Sequence, residues 1–288
     1  MIPIVYLNGA FLPLTEAKIS VLDRGFLLAD GVYEVIPAYG KHFFRLRAHL
    51  DRLEYSLQGI HLENPMSLNQ WQSILQQLLL QNEGLDQAVY LQITRGVAPR
   101  DHAFPKGIQP TVFAMSNPIK PVPEYWLQRG ISTITLEDIR WQWCHIKSIA
   151  LLANVLLRQE AVATGMQEAI LLKDDQVTEG AASNVFIVTG DQLRTPPVSS
   201  ELLSGITRDL VLELAREANI SCKETKISTH DLYHADEIWL TSSTREILPV
   251  TTLNGALVGT GKPGAKWQQL NHYYQAYKEK IRLGMYQN

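Results

Sequence analysis

The sequence predicts an α/β (α+β) protein of two domains, and three observations carry that reading. The chain has 288 residues; domains run to about 100–200 residues, so one large or two modest domains fit. Strand-like and helix-like segments are mixed in both halves, without the regular alternation of a doubly wound sheet. Pro118, Pro121 and Pro123 crowd one short stretch, where fixed φ angles and extended preceding residues favour a linker. The expected division is residues 1–117, a linker at 118–124, and residues 125–288.

The elements follow in order. Val5-Tyr6-Leu7 runs into Asn8-Gly9, a hairpin-turn signal. Residues 31–36 are β-branched and apolar and read as a strand. Leu46, Leu50, Leu53, Leu57 and Ile60 recur at helical spacing, with Arg47, Asp51 and Glu54 between them. A second helix starts at Ser67 as its cap and carries Trp71, Ile74, Leu75, Leu78 and Leu79. Strands at 88–94 and 111–115 flank a loop, 95–105, rich in polar and turn residues. The second half predicts a helix over 148–163 ended by Gly165. A hairpin-like pair of strands at 168–172 and 185–188 comes next, then a helix over 207–218. Strands near 238–240 and 251–253 precede a closing helix over 273–283.

Composition excludes several roles. With 26 Lys+Arg against 29 Asp+Glu, the net charge is −3, a poor footprint for a nucleic-acid binder. No apolar run approaches the roughly 18–20 residues that span a bilayer. The start, Met1 to Leu7, lacks a basic n-region and a cleavage-type site, so no signal peptide is expected. Cys144 and Cys222 cannot build a disulfide framework. The expected setting is cytoplasmic.

Most local motifs are ambiguous alone. Gly259-Thr260-Gly261-Lys262-Pro263-Gly264 matches G-x-G-x-x-G, but it lies too near the end for a βαβ unit and holds a proline, so it reads as a turn before the last helix. His230 and His234 lack the glutamate of a zinc-protease helix, and no metal site is expected. Lys147, among apolar neighbours, is either a nucleophilic amine or an ordinary lysine at a helix start. Glu179 lies among small residues that allow close approach of a flat ligand, or it marks a plain turn. Ser204 to Arg208 and Thr241 to Thr244 fit either phosphate sites or caps. Arg100-Asp101-His102 offers a fork suited to a carboxylate, or a solvated charge.

Taken together and in this order, the segments resemble the class IV, or fold-type IV, pyridoxal-phosphate aminotransferases over nearly the whole chain. Asp23-Arg24-Gly25-Phe26 followed by Asp30-Gly31-Val32-Tyr33-Glu34 looks like that family's N-terminal signature. Ile146-Lys147-Ser148 is similar to its Schiff-base lysine, and Thr178-Glu179-Gly180 with Ser183-Asn184-Val185-Phe186 to its most specific stretch. Leu203 to Arg208 and Gly261 to Gly264 also fit. The resemblance implies pyridoxal 5'-phosphate in a cleft between two α/β domains, with Lys147 carried by the C-terminal one. It implies that Lys147 forms the Schiff base and moves the α-proton, and that Glu179 pairs with the pyridine nitrogen. Arg52, Ile206, Thr207 and the Ser243 hydroxyl would hold the phosphate. Leu203 would pack on the ring, and Tyr33 would line the substrate pocket.

Within the family, the loop 95–102 is similar to that of the D-amino acid aminotransferases. There an arginine and a histidine two apart reach over from the partner subunit of a homodimer. That implies Arg100, His102 and Tyr33 as binders of the substrate α-carboxylate. The implied reaction is ping-pong transamination of a D-amino acid such as D-alanine with 2-oxoglutarate, giving pyruvate and D-glutamate. The alternatives are a 4-amino-4-deoxychorismate lyase serving 4-aminobenzoate and folate synthesis, a branched-chain L-amino acid aminotransferase, and a cofactor-free binding protein on the same fold. Two departures stand out: Trp141-Gln142-Trp143 is bulky, and Ala181-Ala182 replaces serines common after the Glu-Gly pair. Small amino and 2-oxo acids are the expected partners, with neither nucleic acid nor membrane.

Overall fold

Strands β1 (Ile4–Leu7), β2 (Ala10–Pro13), β3 (Gly31–Tyr39), β4 (His42–Phe43), β5 (Gln87–Thr94) and β6 (Thr111–Pro118) form before the proline-rich stretch, in a computed structural model that describes residues 2–285. They pair antiparallel in the order β2-β1-β6-β5-β3-β4. Asn8 and Gly9 both have positive φ, 48° and 100°, the primed turn whose twist suits a two-residue hairpin. Helix α1 (Arg24–Leu28) precedes β3, and α2 (Leu46–Gly59) and α3 (Leu68–Gln81) follow β4. The leucines of α2 and Trp71, Leu75 and Leu78 of α3 pack on Val32, Ile36, Val89 and Leu91 of the sheet. Helical and two-residue periodicities thus meet in one apolar core. Ser67 and Gln70 close a reciprocal capping box at the start of α3.

After the prolines come α4 (Glu124–Arg129), β7 (Ile131–Glu137), α5 (Leu152–Ala163), β8 (Glu168–Lys173), β9 (Gln176–Gly180), β10 (Asn184–Thr189) and β11 (Gln192–Thr195). They are followed by α6 (Ile206–Glu217), β12 (Cys222–Glu224), α7 (Thr229–Tyr233), β13 (Glu237–Ser242), β14 (Glu246–Leu253), β15 (Ala256–Leu257) and α8 (Ala265–Arg282). The sheet order is β12-β11-β10-β13-β14-β7-β8-β9, with β15 beside β14. β7 runs parallel to both β8 and β14, and β11 parallel to β12. Its core gathers Ile131, Ile170, Val185, Ile187, Ile238, Leu240, Leu248 and Val250.

The chain divides into two compact units. The first holds the residues up to Lys120, Ile146–Ala150, and the stretch from Lys278; the second holds Pro121–His145 and Leu151–Tyr277. Lys147 therefore belongs with the first unit, not with the C-terminal domain expected to carry it. The reason is local: residues 146–150 lie against β3, where Tyr33 N donates to Lys147 O at 3.0 Å and Ile149 N donates to Gly31 O at 3.1 Å. The helix predicted from 148 accordingly begins only at Leu152.

Two more expectations change. The strand at 168–172 pairs with β9, not with residues 185–188, and β10 pairs with β11 and β13. Asp174 and Asp175, both at positive φ, turn β8 directly into β9. The last helix starts eight residues before Tyr273, because the Glu237 carboxylate accepts from Lys266 N at 3.0 Å and Trp267 N at 2.9 Å. That cap comes from another element. The glycine-rich stretch 259–264 is the turn that leads into α8. Among the described residues, no helix is long and apolar enough to cross a membrane.

Candidate active site

In the first unit the backbone of Lys147 is held from two sides. Its carbonyl accepts from Tyr33, and its N–H donates to Ser56 Oγ of α2 at 3.2 Å. Ile146 before it is buried in the α2–α3 core, and Ser148 after it bridges Val32. The side chain is half-buried. Its Nζ lies over the Tyr33 ring, 4.2 Å from the centroid, a cation–π placement. Tyr33 is itself stacked on Tyr90 at 5.7 Å. A rigid root with a four-carbon tether suits an amine that must reach a fixed partner repeatedly.

Arg52 is also in this unit, and it is not a lone cation. Its Nε donates to Glu34 Oε1 at 2.7 Å and its Nη2 to Glu34 Oε2 at 2.8 Å, a bidentate pair. His49 Nδ1 meets the same Oε2 at 2.8 Å. All three side chains are buried. Burial alone would raise the Glu34 carboxyl, but Arg52 and His49 outweigh it and hold the group well below the usual carboxylate range. Burial, aided by the charges of Arg52 and Lys147, lowers His49 against the pull of Glu34. A neutral imidazole beside an ionised carboxylate donates its Nδ1–H and leaves Nε2 as an acceptor.

Arg100 and His102 sit exposed on the loop between β5 and β6. Among the described residues, no hydrogen bond joins either side chain to Tyr33 or Lys147.

The second unit builds a separate polar cluster around Glu179. Its Oε1 accepts from Arg140 Nη1, and its Oε2 accepts from Asn184 Nδ2 and Leu203 N, both at 3.1 Å. Arg140 is shared with Asp138 at 2.7 Å, and Thr178 Oγ1 donates to Asp138 at 2.7 Å. Burial pushes the Glu179 carboxyl upward, while Arg140 and the Leu203 amide pull it down; the balance is raised. Asn184 also donates to Leu203 O at 2.8 Å, three residues before α6, and pairs in register with Thr241, two before Ser243. It thereby ties together the start of α6, with buried Ile206 and Thr207, and the β13–β14 turn holding half-buried Ser243. The α6 N-terminus has no side-chain cap, so its first amides point outward unpaired by helix geometry. The buried Thr241 hydroxyl also lacks a partner.

Sequence reasoning missed Glu34, His49, Arg140 and Asn184 as partners. Glu34 and Asn184 stood inside motifs already singled out, so a search for what neutralises Arg52 and what orients Glu179 would have reached them. Arg140 carried no local signal. Cys144, left without a role, donates its Sγ–H to Trp141 O at 3.0 Å, and burial pushes its thiol up to about 11. It stays a thiol near neutrality and is a poor nucleophile.

The sequence profile of the amino-transferase class IV family matches residues 31–253. The D-alanine aminotransferase of Bacillus licheniformis is 40% identical over 260 residues, covering 90% of this chain and 92% of that protein. The D-alanine aminotransferase of Staphylococcus epidermidis (strain ATCC 35984) is 37% identical over 275 residues, covering 95% and 97%. Among solved structures, the T.th. branched-chain amino acid aminotransferase with pyridoxamine 5'-phosphate superposes with a TM-score of 0.92 at 25% identity, over 98% and 96% of the two chains. The branched-chain amino acid aminotransferase of Escherichia coli gives 0.87 at 26% identity, over 96% and 94%. A profile spanning most of the sequence, and relatives alike along almost all of it, agree on one point: the chain belongs to the class IV aminotransferases.

Proposed function

We propose that this aminotransferase uses pyridoxal 5'-phosphate to move the amino group of a D-amino acid, D-alanine first among them, to 2-oxoglutarate, giving pyruvate and D-glutamate in the cytoplasm. The observation that carries the substrate reading is the identity of 37–40% to D-alanine aminotransferases along nearly the full length.

The residues present fit the cofactor. Three donors already occupy Glu179, and a carboxylate has about four lone-pair sites, so one acceptor direction remains for a ring N–H. A protonated ring nitrogen there adds a second cation beside Arg140 and favours the ionised carboxylate despite burial. The uncapped start of α6, with Ile206 and Thr207, suits a phosphate dianion, as do the Ser243 hydroxyl and the guanidinium of Arg52. When bound, pyridoxal phosphate supplies the electron sink for the charge left as the α-proton departs. Lys147 then serves as the attachment point and as the base that takes and returns that proton. Leu203, its backbone pinned to Glu179 and Asn184, would present its side chain to the ring.

Arg100 and His102 bind the substrate α-carboxylate with Tyr33. Neither side chain hydrogen-bonds to Tyr33 among the described residues of its own chain, and the reading has the loop serve the partner subunit of a homodimer. Exposed Val21, Leu22, Phe26, Val97 and Phe104 supply apolar surface beside it for that contact. A branched-chain L-amino acid aminotransferase is the second reading, favoured by the fold neighbours.

The test sets D-alanine plus 2-oxoglutarate beside L-leucine plus 2-oxoglutarate and a 4-amino-4-deoxychorismate lyase assay. Pyruvate from D-alanine alone supports the proposal; turnover only of L-leucine, or only in the lyase assay, replaces it. Borohydride reduction followed by peptide mapping should put the pyridoxyl label on Lys147, and a label on another lysine removes Lys147 from that role. Arg100→Gln should raise KM for D-alanine by about one to two decades, the scale of a lost charged hydrogen bond.

A further inference from the structure

We infer that Arg24 is a positioning residue for the substrate-carboxylate loop. The inference rests on the reading that Arg100 and His102 bind the carboxylate. Arg24 opens α1 and is only 3% exposed. Its Nε donates to Asp30 Oδ2 at 2.8 Å. The rest of the guanidinium faces the loop: Nη1 donates to Asp101 O at 2.5 Å and to Ala103 O at 3.3 Å, and Nη2 to His102 O at 3.5 Å. In an extended segment successive carbonyls alternate in direction. Three in a row turned toward one point mean that the loop curls around the guanidinium. Without a cation at the centre, those oxygens would repel one another.

Neutralising Asp30 does not require Arg24, because Arg95 Nε donates to the same oxygen at 2.8 Å. Arg95 also donates to Ile60 O and His61 O, at 2.6 Å and 3.2 Å, and lies under the Phe104 ring at 3.8 Å. The loop is therefore gripped at Phe104 by Arg95 and across 101–103 by Arg24. The root of Arg24 is fixed in turn. Its N–H donates to Gly96 O at 2.8 Å, and Asp23 caps α1 while accepting from Thr94 and Thr111. The Asp23-Arg24-Gly25 motif thus links the paired ends of β5 and β6 to the held loop. A free loop that must be ordered on binding loses conformational entropy at every residue it fixes, a cost that a prebuilt loop avoids.

The test compares holoenzymes of Arg24→Gln, Arg24→Lys and Arg100→Gln in the amino-donor half-reaction, with D-alanine and with ethylamine, which is D-alanine without its carboxylate. Arg24→Gln should raise the half-saturating D-alanine concentration about tenfold, leave the maximal rate within about twofold, and leave the ethylamine rate unchanged. Arg24→Lys keeps a cation for Asp30 but loses the fork, and should fall between wild type and Arg24→Gln. Tryptic cleavage after Arg100 reads the loop without turnover and should be several-fold faster in both variants. A normal D-alanine dependence in Arg24→Gln, with Arg100→Gln impaired, overturns the inference and spares the carboxylate reading. An equal loss with ethylamine also overturns it, by making Arg24 merely structural, as does unchanged cleavage in both variants. A normal D-alanine dependence in Arg100→Gln overturns the carboxylate reading itself, and the inference with it.

Discussion

Glu34, His49 and Arg52 show how a cation is steadied inside a protein. A buried guanidinium needs an opposite charge, and Glu34 provides it in bidentate geometry, while His49 fills the remaining demand on one oxygen. Both Glu34 and His49 bind protons less readily in the folded chain than in the unfolded one. The unfolded state therefore takes up more protons on acidification, and stability falls as pH falls. The loss begins below the ordinary histidine value of 6.5 and deepens below the ordinary glutamate value of 4.5, at about 1.4 kcal/mol per pH unit for each proton. Melting temperatures from pH 7.5 to 4.5 should decline, and His49→Gln should flatten the part between 6.5 and 5. An unchanged slope there would show that His49 is not the group. Glu179→Gln keeps the shape but loses the charge. Arg140 retains Asp138, so the fold should survive, with a melting temperature within a few degrees, while transamination falls by about 100-fold or more.

The stretch 146–150 is where an element decides the position of the proposed Schiff-base lysine. It lies on β3 in place of opening a helix, and the docking depends on Gly31. A Cβ there would lie 2.6 Å from Ile93 O and 3.0 Å from Ile149 Cδ1. Gly31→Ala should push the segment off β3, cost about 1–3 kcal/mol in urea unfolding, and lower the yield of borohydride label on Lys147. Full labelling with normal stability would show that the segment has room to shift. Helices α2 and α3 were legible beforehand because a 3.6-residue period is written along a single segment. The segment at Lys147 was not: apolar residues of 146–152 suit a helix or an extended strand equally well, and only the edge of β3 chooses between them.

For the whole molecule, two chains of 32.5 kDa should sediment together at about 65 kDa if the dimer reading holds. Replacing Val97 and Phe104 by aspartate should shift that equilibrium toward the single chain, since each puts a charge on an apolar contact. A single-chain species in the wild type at assay concentration would remove the reason for assigning the loop to a partner. The candidate site was legible to the extent that its residues lie in contiguous motifs. Lys147, Glu179 and the Ile206–Thr207 step stand in short runs whose order along the chain carries the family likeness. Their partners do not. Arg52 finds Glu34 from 18 residues away, Glu179 finds Arg140 from 39, and Arg24 finds its loop from 77.

By itself the sequence determined the mixed α/β class, the apolar faces of the long helices, and the identity of the groups that can do chemistry, because periodicity and side-chain type are local properties. Only the tertiary structure decided which strand receives Lys147, which carboxylate steadies Arg52, which cation steadies Glu179, and what holds the loop of Arg100 and His102. Those choices are made by burial. A charged group withdrawn from water must be paired wherever the fold brings a partner within about 3 Å, and nothing in the chain near it announces where that partner will come from.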